Sequence, residues 1–365
     1  MKITKKLTYL LLVFALVLSL AACGQEAKED DAKTPTTEEG KEENSEEKVE
    51  EKPEEESQEA KIAKIGLGSV TSLAKSKELK DGKGAAQADT TVVAVALDAE
   101  DKIVDVKIDV AQNKAPMNDD GSLAFETSET LRTKRELGDE YGMRKASGIE
   151  KEWFEQADAL EEAWIGMTIE EALNMKKDAE KDTLTDLATS VTVKVSGYQD
   201  ALKKASENLV EAKDAEKLGL GIYSVFGHGT SPAKDEKGAK VQFETNMVAL
   251  ASDKDGKIVA SIIDTAQNSV AYELDGSLSE KFNPQGTTKK ELGDGYGMKK
   301  NSGIGKEWFE QIAGLEQYLV GKTLDDVKAM KLEEGKATDA DLLSSVTIAI
   351  DEYQKVVTKA IEDIK

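Results

Sequence analysis

The sequence has very little of the residues on which most catalytic and metal sites depend. Its 365 residues include one cysteine, Cys23, and one histidine, His228, and only 5% are aromatic. One cysteine excludes an intrachain disulfide, a zinc–cysteine site and an iron–sulfur cluster. One histidine excludes Ser–His or Cys–His catalysis in both copies of a repeated body, and in its Gly-His-Gly loop it is typical of a surface residue.

Basic residues are also scarce relative to acidic ones, and the net charge is −23. This balance excludes the basic footprint that nucleic-acid binding requires. Between residues 24 and 60 there are 16 acidic residues against five lysines and almost no large apolar side chains. Such a segment cannot bury enough surface to fold, so we expect a disordered linker. It would serve as a tether that holds the body away from the membrane or as a solubilising spacer.

The only long apolar run covers residues 7–20 and follows Lys2, Lys5 and Lys6. About fourteen residues suit the core of a signal peptide and are too few for a membrane span. The run ends in Leu-Ala-Ala-Cys23, which resembles the lipobox of bacterial lipoproteins. The resemblance implies cleavage after residue 22 and a lipid on Cys23, hence a protein anchored to the outer face of the cytoplasmic membrane and facing the cell wall; an ordinary secreted protein is the alternative.

The rest of the chain contains a long internal repeat. Residues 136–156, which include Tyr141, Met143 and Trp153, return as residues 291–311 with Tyr296, Met298 and Trp308. The offset of 155 residues holds from about residue 92 to residue 192 in the first copy. We therefore predict two similar domains, 61–212 and 213–365, behind a signal peptide at 1–22 and a linker at 23–60.

Each half begins with the pattern of a β-hairpin and continues with helical patterns. Residues 91–97 and 103–110 predict one hairpin, and 247–251 and 258–264 predict the other. The turn at Asp253-Lys-Asp-Gly256 partly matches a calcium loop, but a hairpin turn fits its spacing better. Strands followed by helices indicate an α+β fold with a small, mainly antiparallel sheet in each half.

Three helices are expected in each half. The first carries Ile149, Trp153, Ala157, Leu160 and Trp164 on one face, with a capping box at Ser147 and Glu150 and an end near Gly166. A short second helix begins at Thr168 or Thr323. The last carries Tyr198, Leu202, Ala205 and Leu209 on one face.

A second repeated phrase occurs near the end of each half. Asp186-Leu-Ala-Thr-Ser-Val-Thr192 returns as Asp341-Leu-Leu-Ser-Ser-Val-Thr347. The residues that follow alternate between apolar and polar, so we predict a strand over residues 191–196 with Thr192 on the polar face. A threonine there presents its hydroxyl to solvent or to a ligand, or is simply a good strand former on an exposed face.

The phrase resembles the flavinylation motif Asp-x-x-[Ser/Thr]-Gly-Ala-Thr of the FMN-binding domain family. In that family a separate flavin transferase uses FAD and magnesium to join FMN to the last threonine through a phosphoester. The resemblance implies two covalent FMN cofactors and no metal held by the chain itself. By position, the acceptors are Thr192 and Thr347, the acids are Asp186 and Asp341, the first hydroxyls are Thr189 and Ser344, and Ser190 and Ser345 replace the glycine of the motif.

The order of lipobox, linker and two such domains resembles the PplA-type peptide-pheromone-encoding lipoproteins of Gram-positive bacteria. The resemblance implies an electron-transfer flavoprotein rather than a stand-alone enzyme, with a membrane quinol oxidoreductase and extracellular electron acceptors as partners. It also implies a small peptide released from the signal sequence, which could instead be degraded. A non-redox adhesin or ligand-binding lipoprotein with two modules is the alternative function.

The repeated tyrosines, methionines and tryptophans have two possible roles. Tyr141, Met143, Tyr296 and Met298 are candidates for an apolar wall beside a flavin ring, together with the repeated tryptophans. Core packing is the other reading, and the helical spacing of the tryptophans favours it. The pairs Gly66-Leu-Gly68 and Gly219-Leu-Gly221 do not follow a clear strand, so a dinucleotide-binding loop is not supported.

Overall fold

A computed structural model describes residues 61–364. The predicted signal peptide, the lipidated Cys23 and the acidic linker lie outside the described residues. The strands of the first half are β1 (Ile62–Ser72), β2 (Ala85–Leu97), β3 (Ile103–Pro116), β4 (Lys177–Asp178), β5 (Thr183–Leu184) and β6 (Val210–Ala215). Its helices are α1 (Lys134–Leu137), α2 (Trp153–Trp164), α3 (Ile169–Leu173) and α4 (Ser196–Ser206), with a 3-10 turn at Gly138–Tyr141.

The second half repeats this order. Its strands are β7 (Lys217–Phe226), β8 (Lys240–Ser252), β9 (Ile258–Ala271), β10 (Leu332–Glu333) and β11 (Lys336–Ala337). Its helices are α5 (Lys289–Leu292), α6 (Trp308–Leu319), α7 (Leu324–Lys328), α8 (Ala340–Leu343) and α9 (Asp351–Asp363), with 3-10 turns at Gly293–Tyr296 and Lys299–Asn301.

Two antiparallel sheets form the centre of the fold, one with the order β3-β2-β1-β6 and one with the order β7-β8-β9. Two-stranded ladders, β4-β5 and β10-β11, complete the described sheets. This confirms the predicted α+β class with small antiparallel sheets and both predicted hairpins. The chain passes from the first sheet to the second at Glu216, so the boundary predicted at residues 212–213 falls inside β6.

The sheets lie between two layers of helices. Val92, Ala94 and Ala96 of β2 face the second sheet, in a core shared with β7, β8 and β9. Val93 and Val95 point the other way, into a core closed by α2 and α4. The second sheet packs in the same way against α6 and α9. Because both faces of the central strands are covered, they read as continuous apolar runs instead of alternating ones.

The two halves contact each other reciprocally. Lys204 on α4 pairs with Glu291, and Lys359, which is 155 positions after Lys204, pairs with Glu136, which is 155 positions before Glu291. The segments between the third strand and the next helix also cross over. Leu131 bridges to Ser224 of the second half, and Gly286 donates a backbone hydrogen bond to Thr71 of the first. Contacts of the same patch on both partners are typical of a twofold interface.

The Gly-Leu-Gly pairs lie inside strands β1 and β7, which the sequence did not predict as strands. A Cβ at Gly68 would overlap the carbonyl oxygen of Ala201 on α4, and one at Gly221 would overlap that of Val356 on α9. These glycines therefore let the last helix of each half approach its sheet closely, which is a packing role.

Helix positions are mostly as expected, with two corrections. Leu209, predicted on one face of the last helix of the first half, lies beyond α4, which ends at Ser206. Thr168 and Thr323 cap the short helices α3 and α7, and Gly166 and Gly321 follow the long ones with positive φ, as predicted. The capping box predicted at Ser147 and Glu150 is wrong. Helix α2 begins at Trp153, and its capping box joins Glu152 and Glu155.

Ser147 instead accepts a hydrogen bond from the Lys151 backbone, and Glu150 has a positive φ. Ile149 has helical spacing relative to Trp153, but it lies one turn before the start of α2 and is not part of the helix. Within residues 61–364 there is no helix with the length and apolarity that crossing a bilayer takes.

Candidate functional site

The repeated phrase forms a turn in the first copy and the short helix α8 in the second, each followed by an extended loop. The strand predicted over residues 191–196 is wrong. Residues 191–195 make no ladder, and Ser196 already begins α4. The predicted alternation is present only in part: Val191 and Val195 are buried, Thr192 is exposed, and Val193 is half-buried. Alternation reports an extended backbone, which a loop can have without a partner strand.

A buried glutamine takes the place of the missing partner strand. The Gln156 Oε1 on α2 accepts hydrogen bonds from the backbone N–H groups of Thr192 (2.8 Å) and Val193 (3.2 Å), and from the Thr192 hydroxyl (3.2 Å). Gln311 on α6 makes the same three bonds to Thr347 and Ile348, at 2.8, 3.2 and 3.3 Å. Both glutamines are completely buried. Each candidate acceptor threonine is therefore fixed to a helix, with Thr192 exposed and Thr347 half-buried.

The other motif residues line the turn before the threonine. Asp186, Asp341, Thr189 and Ser344 are exposed. The hydroxyls of Ser190 and Ser345 donate to the carbonyls of Leu187 (3.3 Å) and Leu342 (3.2 Å), three residues earlier. Neither serine has a positive φ. The position that is glycine in the family motif thus needs no left-handed backbone in this chain.

The repeated Tyr-Gly-Met turn is held against the beginning of the long helix. The Glu152 carboxylate accepts from the backbone N–H groups of Met143 and Arg144, both at 2.8 Å, and Glu307 does the same for Met298 and Lys299. The tyrosines and methionines are half-buried.

The tryptophans are core residues, as their spacing favoured. Trp153 is 1% exposed and Trp308 2%. Their indole N–H groups donate to Tyr198 (2.7 Å) and Tyr353 (3.0 Å).

In the second half, the predicted wall and the threonine loop meet at a cavity of about 480 Å³. Tyr296, Met298 and Trp308 lie on its wall, and so does Ile348, the residue after Thr347. Residues 127–130 of the first half complete the lining. The first part of the motif lies outside this cavity, since its lining does not include Asp341, Ser344 or Ser345. Only the loop that follows the motif reaches the cavity.

A lysine lies close to the aromatic rings of each site, and it is half-buried in the first half and buried in the second. The Lys289 Nζ is 5.3 Å from the centre of the Tyr296 ring and 5.5 Å from that of Trp308. Lys134 has the same relation to Tyr141 (4.8 Å) and Trp153 (5.2 Å). Burial lowers the pKa of Lys289, and it lowers that of Lys134 to about 8, against the opposing effect of nearby carboxylates. Sequence reasoning missed these lysines.

Sequence reasoning also missed Gln156 and Gln311. The available signal was a polar residue on the buried face of an apolar helix, three positions after the tryptophan and present in both copies. Among residues 61–364 no group of three or more His, Cys, Asp or Glu side chains could hold a metal ion.

Comparison with known proteins gives one limited match. The chain is 33% identical over 132 residues to a chlorophenol reductase of Desulfitobacterium hafniense, a match that covers 32% of this chain and 38% of that protein. No family model matches the sequence, and no solved structure matches it. The chain is therefore similar to a short part of one reductase, and the comparisons do not assign it to a family.

Proposed function

We propose that the protein is a cell-surface lipoprotein that carries FMN as a phosphoester on Thr192 and Thr347. Two FMN-binding-like domains in tandem would present these cofactors, and Cys23 would anchor the chain through its lipid. The protein would relay electrons from a membrane quinol oxidoreductase to extracellular acceptors. The observation that carries this proposal is that both threonines occupy the same surface loop, each held by a fully buried glutamine.

The residues present fit a flavin in three respects. Thr192 is exposed and Thr347 is half-buried, so a separate transferase would have access to both. The cavity that Ile348, the residue after Thr347, helps to line has a volume within the usual range of small-molecule pockets, about 300–1,000 Å³. Tyr296, Met298 and Ile348 supply an apolar wall that could flank a ring. When bound, flavin supplies the redox chemistry, and the protein binds it and tunes its electronics.

A covalent bond also suits the expected location. A protein outside the cell loses a reversibly bound cofactor by mass action when the free concentration falls below Kd. Transfer from FAD would form a bond between the threonine Oγ and the FMN phosphorus, break the diphosphate bond and release AMP. Each modified threonine then gains the mass of FMN less one water.

Intact-protein mass spectrometry tests the proposal directly. The mature chain, co-expressed with a flavin transferase, should gain two FMN units less two waters, and Thr192→Ala and Thr347→Ala should each lose one unit. Thr183→Ala and Thr338→Ala are matched controls, because these threonines also differ by 155 positions and precede the motif. An unmodified wild-type chain, or a Thr192→Ala/Thr347→Ala variant that keeps its flavin, would refute the assignment.

The cavity itself favours one alternative. It exists in the unmodified chain and is lined by several carboxylates, so a non-redox lipoprotein that binds a small cationic ligand is the second candidate. Native mass spectrometry of protein from the host would show a reversibly bound cation and bare threonines in that case. Release of a pheromone peptide from residues 15–22 stays a prediction, which mass analysis of the culture supernatant tests.

A further inference from the structure

Most of the charged side chains that line the cavity of the second half are negative. Glu129, Glu244, Asp351 and Glu352 contribute four carboxylates, against the single ammonium group of Lys289. The Glu352 carboxylate accepts a hydrogen bond from Asn246 Nδ2 at 2.8 Å. Burial, with Glu244 and Asp351 as neighbouring like charges, raises the pKa of Glu352.

The matching positions of the first half carry more positive and less negative charge. Gly68 pairs with Val93 in the first sheet, and Gly221 pairs with Val248, 155 residues after Val93, in the second. Gly68 and Gly221 are therefore equivalent. Lys75 and His228 each follow their glycine by seven residues, so they are equivalent too. Lys75, Lys134 and Lys194 therefore stand where the second half has His228, Lys289 and Ala349.

The first half also lacks most of the acids. Asp89 corresponds to Glu244, and Ser196 and Gly197 stand where the second half has Asp351 and Glu352. Lys75 forms an ion pair with Asp89 at 2.8 Å, Lys134 lies over the Tyr141 ring, and Lys194 is exposed in the loop after Thr192. Asp182 adds a second carboxylate, which accepts a hydrogen bond from the Ser196 hydroxyl at 2.5 Å. Three lysines are therefore set against two carboxylates in the first half. Burial raises the pKa of Tyr141, an effect to which Asp89 adds and which Lys75 opposes.

We infer that the first-half site holds the reduced, more electron-rich form of its flavin more tightly than the second-half site does. Reduction adds negative charge to the ring, which neighbouring ammonium groups stabilise and neighbouring carboxylates oppose. The midpoint potential of the cofactor on Thr192 is then more positive than that of the cofactor on Thr347. This inference rests on the proposed function and adds an order to the two sites.

Spectroelectrochemical titration of the two single-site proteins tests it. Thr347→Ala reports the first site and Thr192→Ala the second, after mass analysis has shown one FMN on each. We expect reduction at the first site to be favoured at least tenfold, which for a two-electron couple is about 30 mV. Glu352→Gln, which preserves the shape of the side chain, should raise the potential of the second site.

Adding a carboxylate to the first site should lower its midpoint potential. Gly197 can accept a side chain, because a Cβ there meets only Thr91 Oγ1, at 3.9 Å, so Gly197→Glu should fold and lower the first potential. Asp255→Asn, in the β8–β9 turn at the far end of β8 from Glu244, is the control and should shift neither potential. Equal or reversed potentials in proteins that carry FMN would overturn this inference alone. Absence of FMN from both threonines would overturn the proposed function as well.

Discussion

The two halves agree in the frame that holds the acceptor threonine and differ in the charge around it. The glutamine bond to the threonine loop, the glutamate that holds the Tyr-Gly-Met turn and the tryptophan–tyrosine hydrogen bond occur in both, with distances that differ by 0.3 Å or less. The surrounding charge is more positive in the first half and more negative in the second. The comparison separates residues that position the loop from residues that set the environment of a ligand, a distinction that either half alone would not reveal.

The largest expected effect tests whether the last helix packs equally closely on the sheet in both halves. Gly68→Ala and Gly221→Ala place a Cβ on a helix carbonyl that cannot move away without shifting α4 or α9. Each should lower the free energy of unfolding by more than about 4 kcal/mol or prevent folding. Urea denaturation measures this, with Gly295→Ala as the control, because a Cβ there has no neighbour within 4 Å. A mild effect in one half would show that its helix packs differently.

The next effect separates the positioning glutamine from general packing. Gln311→Leu removes the acceptor for the N–H groups of Thr347 and Ile348, which should cost about 2–5 kcal/mol. It should also reduce FMN on Thr347 and leave Thr192 modified. Gln156→Leu should give the mirror result. Gln317→Leu, an exposed change on the same helix, should do neither; full modification of Gln311→Leu would contradict the positioning role.

A pH effect compares the aspartates at equivalent positions of β3 and β9, Asp109 and Asp264. Burial raises the pKa of Asp109 to about 6 and also raises that of Asp264. A carboxyl whose folded pKa exceeds its unfolded value of about 4 binds more protons in the folded state, so stability falls as pH rises from about 4 to 6. Asp109→Asn should remove about 3 kcal/mol of that fall, as measured by urea denaturation at several pH values. Unchanged pH dependence would show that Asp109 titrates normally.

The smallest effect concerns the reciprocal ion pairs between the halves. Lys204→Gln should cost about 0.5 kcal/mol, because both partners are about one-third exposed. Lys359→Gln should cost somewhat more, since Lys359 also donates to the Ile222 carbonyl at 3.1 Å. Double-mutant cycles with Glu291 and Glu136 at low and high salt would measure both couplings, which salt should weaken. Couplings of 2 kcal/mol or more would mean that these pairs are shielded from solvent.

Local pattern predicted the parts of the fold that depend on period and caps. The hairpins, the apolar face of α2 and α4 and the threonine caps of α3 and α7 all have a signature within a few residues. Strands β1 and β7 were missed because their glycines are required by close packing against a helix that lies more than a hundred residues away in sequence. The Gln156 contact was also missed, because its partner loop lies 36 residues away and the only local signal is a polar residue on the buried face of α2.

The crossing segments, such as the bridge from Leu131 to Ser224, have a consequence for assembly. Two separate modules with this interface would find each other only above a threshold concentration set by their affinity. Here one polypeptide carries both partners, so their association does not depend on how many copies the cell makes. Dilution at a sparsely populated surface would leave the pair intact.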